Sequence, residues 1–221
     1  MIKPPGIIDN TIELPGRCYA IRMMPHEVDI ADIHDWNQAY VDAMKLIVDG
    51  NVDEGKEILE ELYRRKYNRA GHTLSYGYGA GWFGEPDPKK YLSLVYALVL
   101  KGYSAAFSDY GFCYDCGIGV KKSMRWALYW YRKAADYDDE EAQNILGLCY
   151  EEGLGVLKDY EKAYYWFSLA VKNGAGACAE HNLARCFWLG RGIPEDKEMA
   201  NKYEALAVKH GFHKKDKGIV I

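Results

Sequence analysis

Apolar and polar residues recur along most of this chain with the spacing of an amphipathic helix. Between residues 140 and 152, apolar or small side chains fall three or four residues apart, at Ala142, Ile145, Leu146, Cys149 and Tyr150. That spacing gives a helix one face to bury, whereas a half-buried strand would show strict alternation. Gly153 and Gly155 follow, and glycine tolerates the left-handed backbone that ends a helix. The pattern therefore predicts an all-α fold.

The same criteria predict helices in consecutive pairs along the chain. A helix pattern precedes Gly79, and further helices are predicted at 35–49, 52–66, 87–101, 104–116, 123–136, 140–152, 159–172, 177–189 and 195–210. Pro86 and Pro88 lie near the start of the helix at 87–101. Proline is tolerated there because the first backbone N–H groups of a helix have no partner inside it.

Three of these helix pairs carry the same motif at a fixed period. The small residue of the motif is Gly111 in one pair, Gly147 in the next and Ala184 in the third, at steps of 36 and 37 residues. A weaker copy precedes them, in which Tyr78 lies 36 residues before Tyr114. A period of this size indicates stacked supersecondary units, so we expect an α-solenoid of helical hairpins.

This register divides the chain into three parts. Residues 1–34 do not match the repeat and are expected to form an N-terminal cap, either irregular or a β-hairpin around Pro15 and Gly16. Residues 35–211 are expected to form the helical-repeat domain, and residues 212–221 a short tail. Within the repeat domain, a divergent hairpin at 35–66 precedes four copies at about 69–102, 104–138, 140–174 and 177–211.

The most regular copy has a recognisable motif. Residues 142–156 read Ala-x-x-x-Leu-Gly-x-x-Tyr-x-x-Gly-x-Gly-Val, and residues 159–170 read Asp-x-x-Lys-Ala-x-x-Trp-x-x-x-Ala. This motif resembles the SEL-1-like repeat, a longer-looped relative of the tetratricopeptide repeat. The resemblance covers about 69–210 and implies a right-handed superhelix in a protein of the adaptor or scaffold kind. Ser75 and Phe83 stand where the motif has glycines.

Composition and charge narrow the class of protein. The chain has 221 residues, 49% of them hydrophobic, and a net charge of −4 with both signs mixed along it. A mixed, mildly acidic chain argues against a nucleic-acid-binding surface. No apolar run approaches a membrane span, and the start lacks the regions of a secretory signal. We therefore expect neither nucleic acid nor membrane as a partner, and a cytoplasmic location.

The six cysteines are expected to pack rather than react. Cys113, Cys149 and Cys186 occupy equivalent places in successive repeats, where a thiol behaves as a small hydrophobic group. Cys113 and Cys116 form one C-x-x-C pair without the second pair of a zinc site. No metal or other cofactor is therefore predicted, with a disulfide or a redox role kept as an alternative.

One glycine motif and the histidines are candidates for a nucleotide-binding or catalytic site. Residues 79–84 read G-x-G-x-x-G, but a dinucleotide loop needs a strand before it and a helix opening at it. Here a helix pattern precedes, and the repeat register aligns Gly81 with Gly117 and Gly153, which predicts a helix-ending loop. The S-x-x-K and G-x-S-x-G signatures are absent and the six histidines are scattered, so no catalytic residue is predicted.

If the chain curves as tetratricopeptide arrays do, the resemblance places the first helix of each repeat on a concave side. The residues expected to bind a partner there are Arg69, His72, Tyr76, Ser108, Phe112, Asp115, Asn144, Leu148, Glu151, His181, Arg185 and Trp188. They form a mixed polar and aromatic strip of the kind enriched at binding hot spots. The alternative is that Phe112, Leu148 and Trp188 pack against adjacent helices.

Together these features predict a non-catalytic scaffold or adaptor. It would bind a protein or peptide partner along the concave strip or through the N-terminal cap. A bacterial immunity protein that neutralises a cognate toxin by direct binding is an alternative drawn from the family resemblance. A hydrolase or redox enzyme, using the cysteines or a carboxylate cluster, is a third. The sequence leaves the oligomeric state open.

Overall fold

The computed structural model describes residues 33–212, and they form ten helices and no strand. The helices are α1 Ile33–Val48, α2 Val52–Arg64, α3 Asn68–Ala80, α4 Pro88–Leu100, α5 Ala105–Cys116, α6 Met124–Ala135, α7 Glu140–Glu152, α8 Tyr160–Lys172, α9 Ala177–Leu189 and α10 Lys197–Lys209. The predicted all-α fold and each predicted helix are confirmed, with ends that differ by at most two residues.

The two ends of the chain fall largely outside the described residues. The predicted cap at 1–34 lies outside them up to residue 32, and α1 begins at Ile33, two residues before the predicted start. Of the predicted tail at 212–221, only Phe212 is described. The choice between an irregular cap and a β-hairpin therefore stays a prediction.

Contacts between helices divide the chain into two units, residues 1–122 and residues 123–221. In the first unit each helix from α1 to α5 packs against the next one along the chain. In the second unit the same holds from α6 to α10. Each unit therefore has the consecutive helix stacking expected of a repeat array. The right-handed superhelix concerns the path of the whole chain and stays a prediction.

Aspartate and glycine residues fix where the repeat helices begin and end. Four helices start after an aspartate whose carboxylate accepts backbone N–H groups of the first turn, namely Asp87, Asp139, Asp159 and Asp196. Four helices end at a left-handed glycine, namely Gly81, Gly117, Gly153 and Gly190. Both caps satisfy backbone groups that have no partner inside the helix. The helix-ending role predicted for Gly81 is confirmed.

The loop after α3 closes differently from the loops after α5, α7 and α9. Those three loops have a second left-handed glycine two residues after the cap, whereas Phe83 stands at that place after α3. The Phe83 ring folds back onto α3 and makes an edge contact with Tyr78, 5.2 Å between ring centroids. A β-carbon built on Gly77 would lie 2.1 Å from the Phe83 ring. The missing side chain of Gly77 thus makes room for the aromatic ring.

Small residues and thiols line the contacts between helices. In the second unit the Phe167 ring lies against the bare backbone of Gly147, where a β-carbon would be 2.4 Å from it. Cys113, Cys149 and Cys186 are all buried, with at most 1% of each residue exposed. The predicted packing role of these three thiols is confirmed.

Buried thiols predict that the free energy of unfolding falls in alkaline solution. Burial raises the pKa of Cys186 to about 12 and raises that of Cys113 well above its ordinary value. Above about pH 9 the unfolded chain releases these protons while the folded chain keeps them. Stability should therefore be fully present below pH 9 and fall as the pH rises toward 12, by up to about 1.4 kcal/mol per pH unit per thiol.

Urea unfolding between pH 8 and about pH 10.5 tests this expectation, within the range where thiols begin to ionise. Cys186→Ala should make the loss of stability with pH less steep. Cys178→Ala removes an exposed thiol of the same unit and serves as the matched control with an unchanged slope. Equal slopes in wild type and Cys186→Ala would contradict the expectation.

Candidate interaction surface

Glu151 is the centre of a polar cluster in the second unit. It lies in the last turn of α7, with only 2% of its side chain exposed. Its Oε1 accepts hydrogen bonds from Arg185 Nη2 at 2.9 Å and from Arg191 Nη1 at 2.8 Å. Its Oε2 is buried without a hydrogen-bond partner among residues 33–212. One carboxylate oxygen thus holds two guanidinium groups from the following repeat.

The repeat geometry explains how these three side chains meet. Arg185 lies on α9, 34 residues after Glu151, which is about one turn before the place equivalent to Glu151 in the next repeat. Arg191 lies between two left-handed glycines, Gly190 and Gly192, in the loop that ends α9. That loop conformation returns the Arg191 side chain toward α7, and its guanidinium carbon also lies 5.1 Å from the centroid of the Tyr160 ring.

Two asparagines extend the cluster along α7 and α9. Arg185 Nη1 donates to Asn182 Oδ1 at 3.3 Å, and Asn182 Nδ2 donates to Asn144 Oδ1 at 3.0 Å. The hydrogen bond with Glu151 raises the pKa of Arg191, which keeps that guanidinium charged. The predicted residues Asn144, Glu151 and Arg185 therefore belong to one connected network within the second unit.

The apolar members of the predicted strip differ in exposure. Leu148 packs against the core cluster that contains Phe167, Leu183 and Phe187, which agrees with the packing alternative. Trp188 has 40% of its surface exposed, and it lies one turn after Arg185 on α9. Within the predicted strip, Trp188 therefore faces solvent, whereas Leu148 packs against the core.

His181 is used in the contact between α9 and α10. Its Nδ1 lies 2.7 Å from Glu204 Oε2, and its ring stacks on Phe212 with centroids 4.0 Å apart. A second pair joins the same helices, since His210 Nδ1 lies 2.9 Å from both carboxylate oxygens of Glu180. His181, in the first half of α9, thus packs against residues of its own repeat.

In the first unit, buried Asp109 brings two predicted residues together. Tyr76 donates its hydroxyl to Asp109 Oδ1 at 2.8 Å, and His72 Nε2 lies 2.6 Å from Asp109 Oδ2. The His72 ring also makes edge contacts with Tyr76 and Tyr103. Burial raises the pKa of Tyr103 to about 12, so this hydroxyl keeps its proton at neutral pH. The contacts join α3 to α5.

The other predicted residues of the first unit are Arg69 on α3 and three residues of α5. The Arg69 guanidinium carbon lies 4.3 Å from the centroid of the Tyr40 ring, a cation–π contact with α1. Ser108, Phe112 and Asp115 are half-buried along one side of α5. Their spacing of four and three residues gives them a common helix face.

Three residues that hold these networks were absent from the predicted set: Asp109, Asn182 and Arg191. Asp109 and Asn182 lie next to predicted residues, and both are buried. A charged residue on a buried face is rare unless it is paired, and that rarity was the available signal for Asp109. Arg191 carries no periodic signal because it lies in a loop.

Residues 33–212 contain no cluster of three or more histidine, cysteine, aspartate or glutamate side chains that could hold a metal ion. No helix among them is long and apolar enough to cross a membrane.

The family model for the Sel1 repeat matches residues 108–138, 140–174 and 179–212. This chain contains three Sel1 repeats. The three matched segments correspond to the second, third and fourth predicted copies, with ends that differ by at most four residues. The first predicted copy, at 69–102, is not among the matched segments, although α3 and α4 form the same capped hairpin there.

Solved Sel1 repeat structures have a similar fold. A Sel1 repeat protein from Oxalobacter formigenes superposes with a TM-score of 0.71 at 24% identity, covering 78% of this chain and 70% of that one. A protective antigen of uropathogenic Escherichia coli gives 0.65 at 28% identity, covering 71% of this chain and 33% of that one. A putative Sel1 repeat protein from Klebsiella pneumoniae gives 0.53 at 19% identity, covering 80% and 88%. No curated protein matches this chain.

Proposed function

We propose that this protein is a non-catalytic scaffold that binds a protein or peptide partner through the first helices of its repeats. Sel1 repeats typically mediate protein–protein interactions. The observation that carries the proposal is the exposure of Trp188 beside Arg185 on α9. Tryptophan and arginine are the residues most enriched at the energetic centres of interfaces.

The surface around Trp188 is held rigidly. Seven residues of α9 are buried, so the helix is fixed on its other faces. The guanidinium of Arg185 is fixed by buried Glu151. A rigid surface binds more tightly than a mobile one, because less conformational entropy is lost when the partner docks.

The buried thiols support the non-catalytic reading against the redox alternative. A redox or nucleophilic cysteine needs an accessible thiolate, which a lowered pKa provides. Burial instead raises the pKa of Cys113 and of Cys186. Both thiols therefore suit packing better than chemistry.

Replacing Trp188 by alanine tests the proposed surface. Quantitative affinity capture from cells of the native organism should show at least a tenfold loss of the specific partner for Trp188→Ala. Tyr165→Ala is the matched control, since Tyr165 is an aromatic residue on α8 with 57% of its surface exposed. Equal capture by both variants and wild type, with unchanged helical circular dichroism, would refute binding at Trp188.

Two narrower expectations stay predictions within this proposal. The first is that the partner is a toxin, so that the chain acts as an immunity protein. Production of the chain together with a toxin encoded by a neighbouring gene would test it, and continued cell death would reject it. The second is a cytoplasmic location, which cell fractionation can check.

A further inference from the structure

We infer that Arg185, Arg191 and Trp188 recognise a carboxylate that lies next to an apolar side chain in the partner. The inference rests on the proposed function and names the chemistry of the partner at that surface. The carboxylate is that of an aspartate or glutamate side chain in the partner. Four observations in the second unit lead to it.

The first observation is the charge balance of the cluster. Arg185 and Arg191 share the single charge of Glu151. Glu152 also attracts Arg191, but its charge is balanced by Lys158, whose Nζ lies 4.0 Å from Glu152 Oε2. The remaining carboxylates of α9 and α10 that are paired here, Glu180 and Glu204, are opposite histidines. The arginine pair therefore keeps an excess of one positive charge.

The second observation is the supply of hydrogen-bond donors. A guanidinium group carries five N–H donors. Within residues 33–212, Arg185 forms two side-chain hydrogen bonds and Arg191 forms one. Their side chains are 24% and 33% exposed, so solvent reaches both groups. Guanidinium groups bind carboxylates in a planar, bidentate geometry that lysine does not match.

The third observation is how Glu151 positions the two cations. Both guanidiniums bond Oε1, while the buried Oε2 has no donor among the described residues. A buried acceptor without a donor destabilises the fold, because it has lost its hydrogen bonds to water. One bond to each oxygen would satisfy Glu151 better. The observed arrangement instead gathers two partly exposed guanidiniums at one point, where a second carboxylate would balance their charge.

The fourth observation supplies the apolar half of the site. Trp188 follows Arg185 by three residues, so both side chains lie on one face of α9. No aromatic stacking or cation–π partner is found for the Trp188 indole within the described residues, and 40% of its surface is exposed. An apolar side chain of the partner would cover this indole while the neighbouring carboxylate reaches the arginines.

Short labelled peptides test this recognition directly. The probes are fluorescein-labelled Gly-Phe-Glu-Phe-Gly-amide, the same peptide with glutamine in place of glutamate, and the glutamine peptide with a free C-terminal carboxylate. Fluorescence polarisation at low salt should show the glutamate peptide binding at least tenfold more tightly than the neutral one. A free-carboxylate peptide that binds more tightly than the glutamate peptide would overturn the assignment to a side chain. Higher salt should reduce this preference, since it screens charge.

Variants of the two arginines and of Trp188 test whether these residues cause the preference for a carboxylate peptide. Arg191→Gln and Arg185→Lys should each reduce the preference for a carboxylate at least threefold, and Trp188→Ala should weaken all three peptides together. Arg185→Lys retains the charge opposite Glu151 and so preserves the fold. Lys197→Gln, which removes an exposed cation from α10, should change nothing. A preference that is absent in wild type, or that survives both arginine variants, would overturn the inference.

The peptide experiment and the capture experiment test different claims, so a negative result in one can be told from a negative result in the other. If Trp188→Ala abolishes capture of the native partner but the peptides show no preference for a carboxylate, the inference is wrong and the proposed function stands. If capture is unaffected by Trp188→Ala, the proposed surface itself is wrong.

Discussion

Replacing Glu151 by alanine is expected to lower the free energy of unfolding by about 2–3 kcal/mol, because it removes the buried acceptor of two hydrogen bonds from charged groups. Two guanidinium groups would lose the carboxylate oxygen that holds them. The loop that carries Arg191 would also lose the hydrogen bond that links it to α7. Urea unfolding followed by circular dichroism measures the loss.

The neighbouring residue provides a matched control for this result. Glu152→Ala removes an exposed carboxylate whose Oε2 lies 4.0 Å from Lys158 Nζ. An exposed pair of this kind contributes at most about 1 kcal/mol, so this variant should unfold almost as wild type does. Similar losses for the two variants would show that the burial of Glu151 does not decide the stability of the second unit.

Replacing Gly192 by alanine should have an effect of similar size for a different reason. The backbone of Gly192 has φ +76°, and a β-carbon there would lie 2.0 Å from the Tyr160 carbonyl oxygen. The left-handed conformation alone costs alanine about 1–2 kcal/mol. The overlap with backbone atoms adds to this cost because a backbone cannot move aside as a flexible side chain does. We expect a total loss of about 3–4 kcal/mol, near the upper end for single substitutions.

Gly190→Ala in the same loop separates the cost of the left-handed backbone from the cost of the overlap with Tyr160. Gly190 also has a left-handed backbone, with φ +61°, but the nearest atom to a β-carbon there is 3.6 Å away. Gly190→Ala should therefore lose only the conformational part, about 1–2 kcal/mol. Thermal unfolding of both variants gives the comparison. If Gly190→Ala were as damaging as Gly192→Ala, the close approach to Tyr160 would have no energetic consequence.

The helices of this protein could be predicted from sequence because their signals are local. The aspartate before α7 and α8 and the glycine after α7 act within one turn of the backbone. The apolar spacing inside each helix depends only on helix geometry. The repeat period then placed Glu151 and Arg185 on corresponding faces, since equivalent positions in stacked hairpins lie near each other.

The details of the surface could not be predicted because they depend on side-chain directions and loop shape. Arg191 reaches Glu151 only because the backbone around it is left-handed on both sides. Leu148 and Trp188 both occupy the predicted strip, yet the first packs into the core and the second is exposed. That difference depends on the volume left by neighbouring helices, which a periodic pattern does not contain.

The ring of Phe83 against the bare backbone of Gly77 has a consequence for how the first repeat can change in evolution. Gly77 lies in α3 and Phe83 in the loop that follows it, yet they share one volume. A β-carbon at position 77 can be accommodated only in a chain that has first lost the ring at position 83. The order of substitution is therefore fixed, because a change at position 83 must precede a change at position 77.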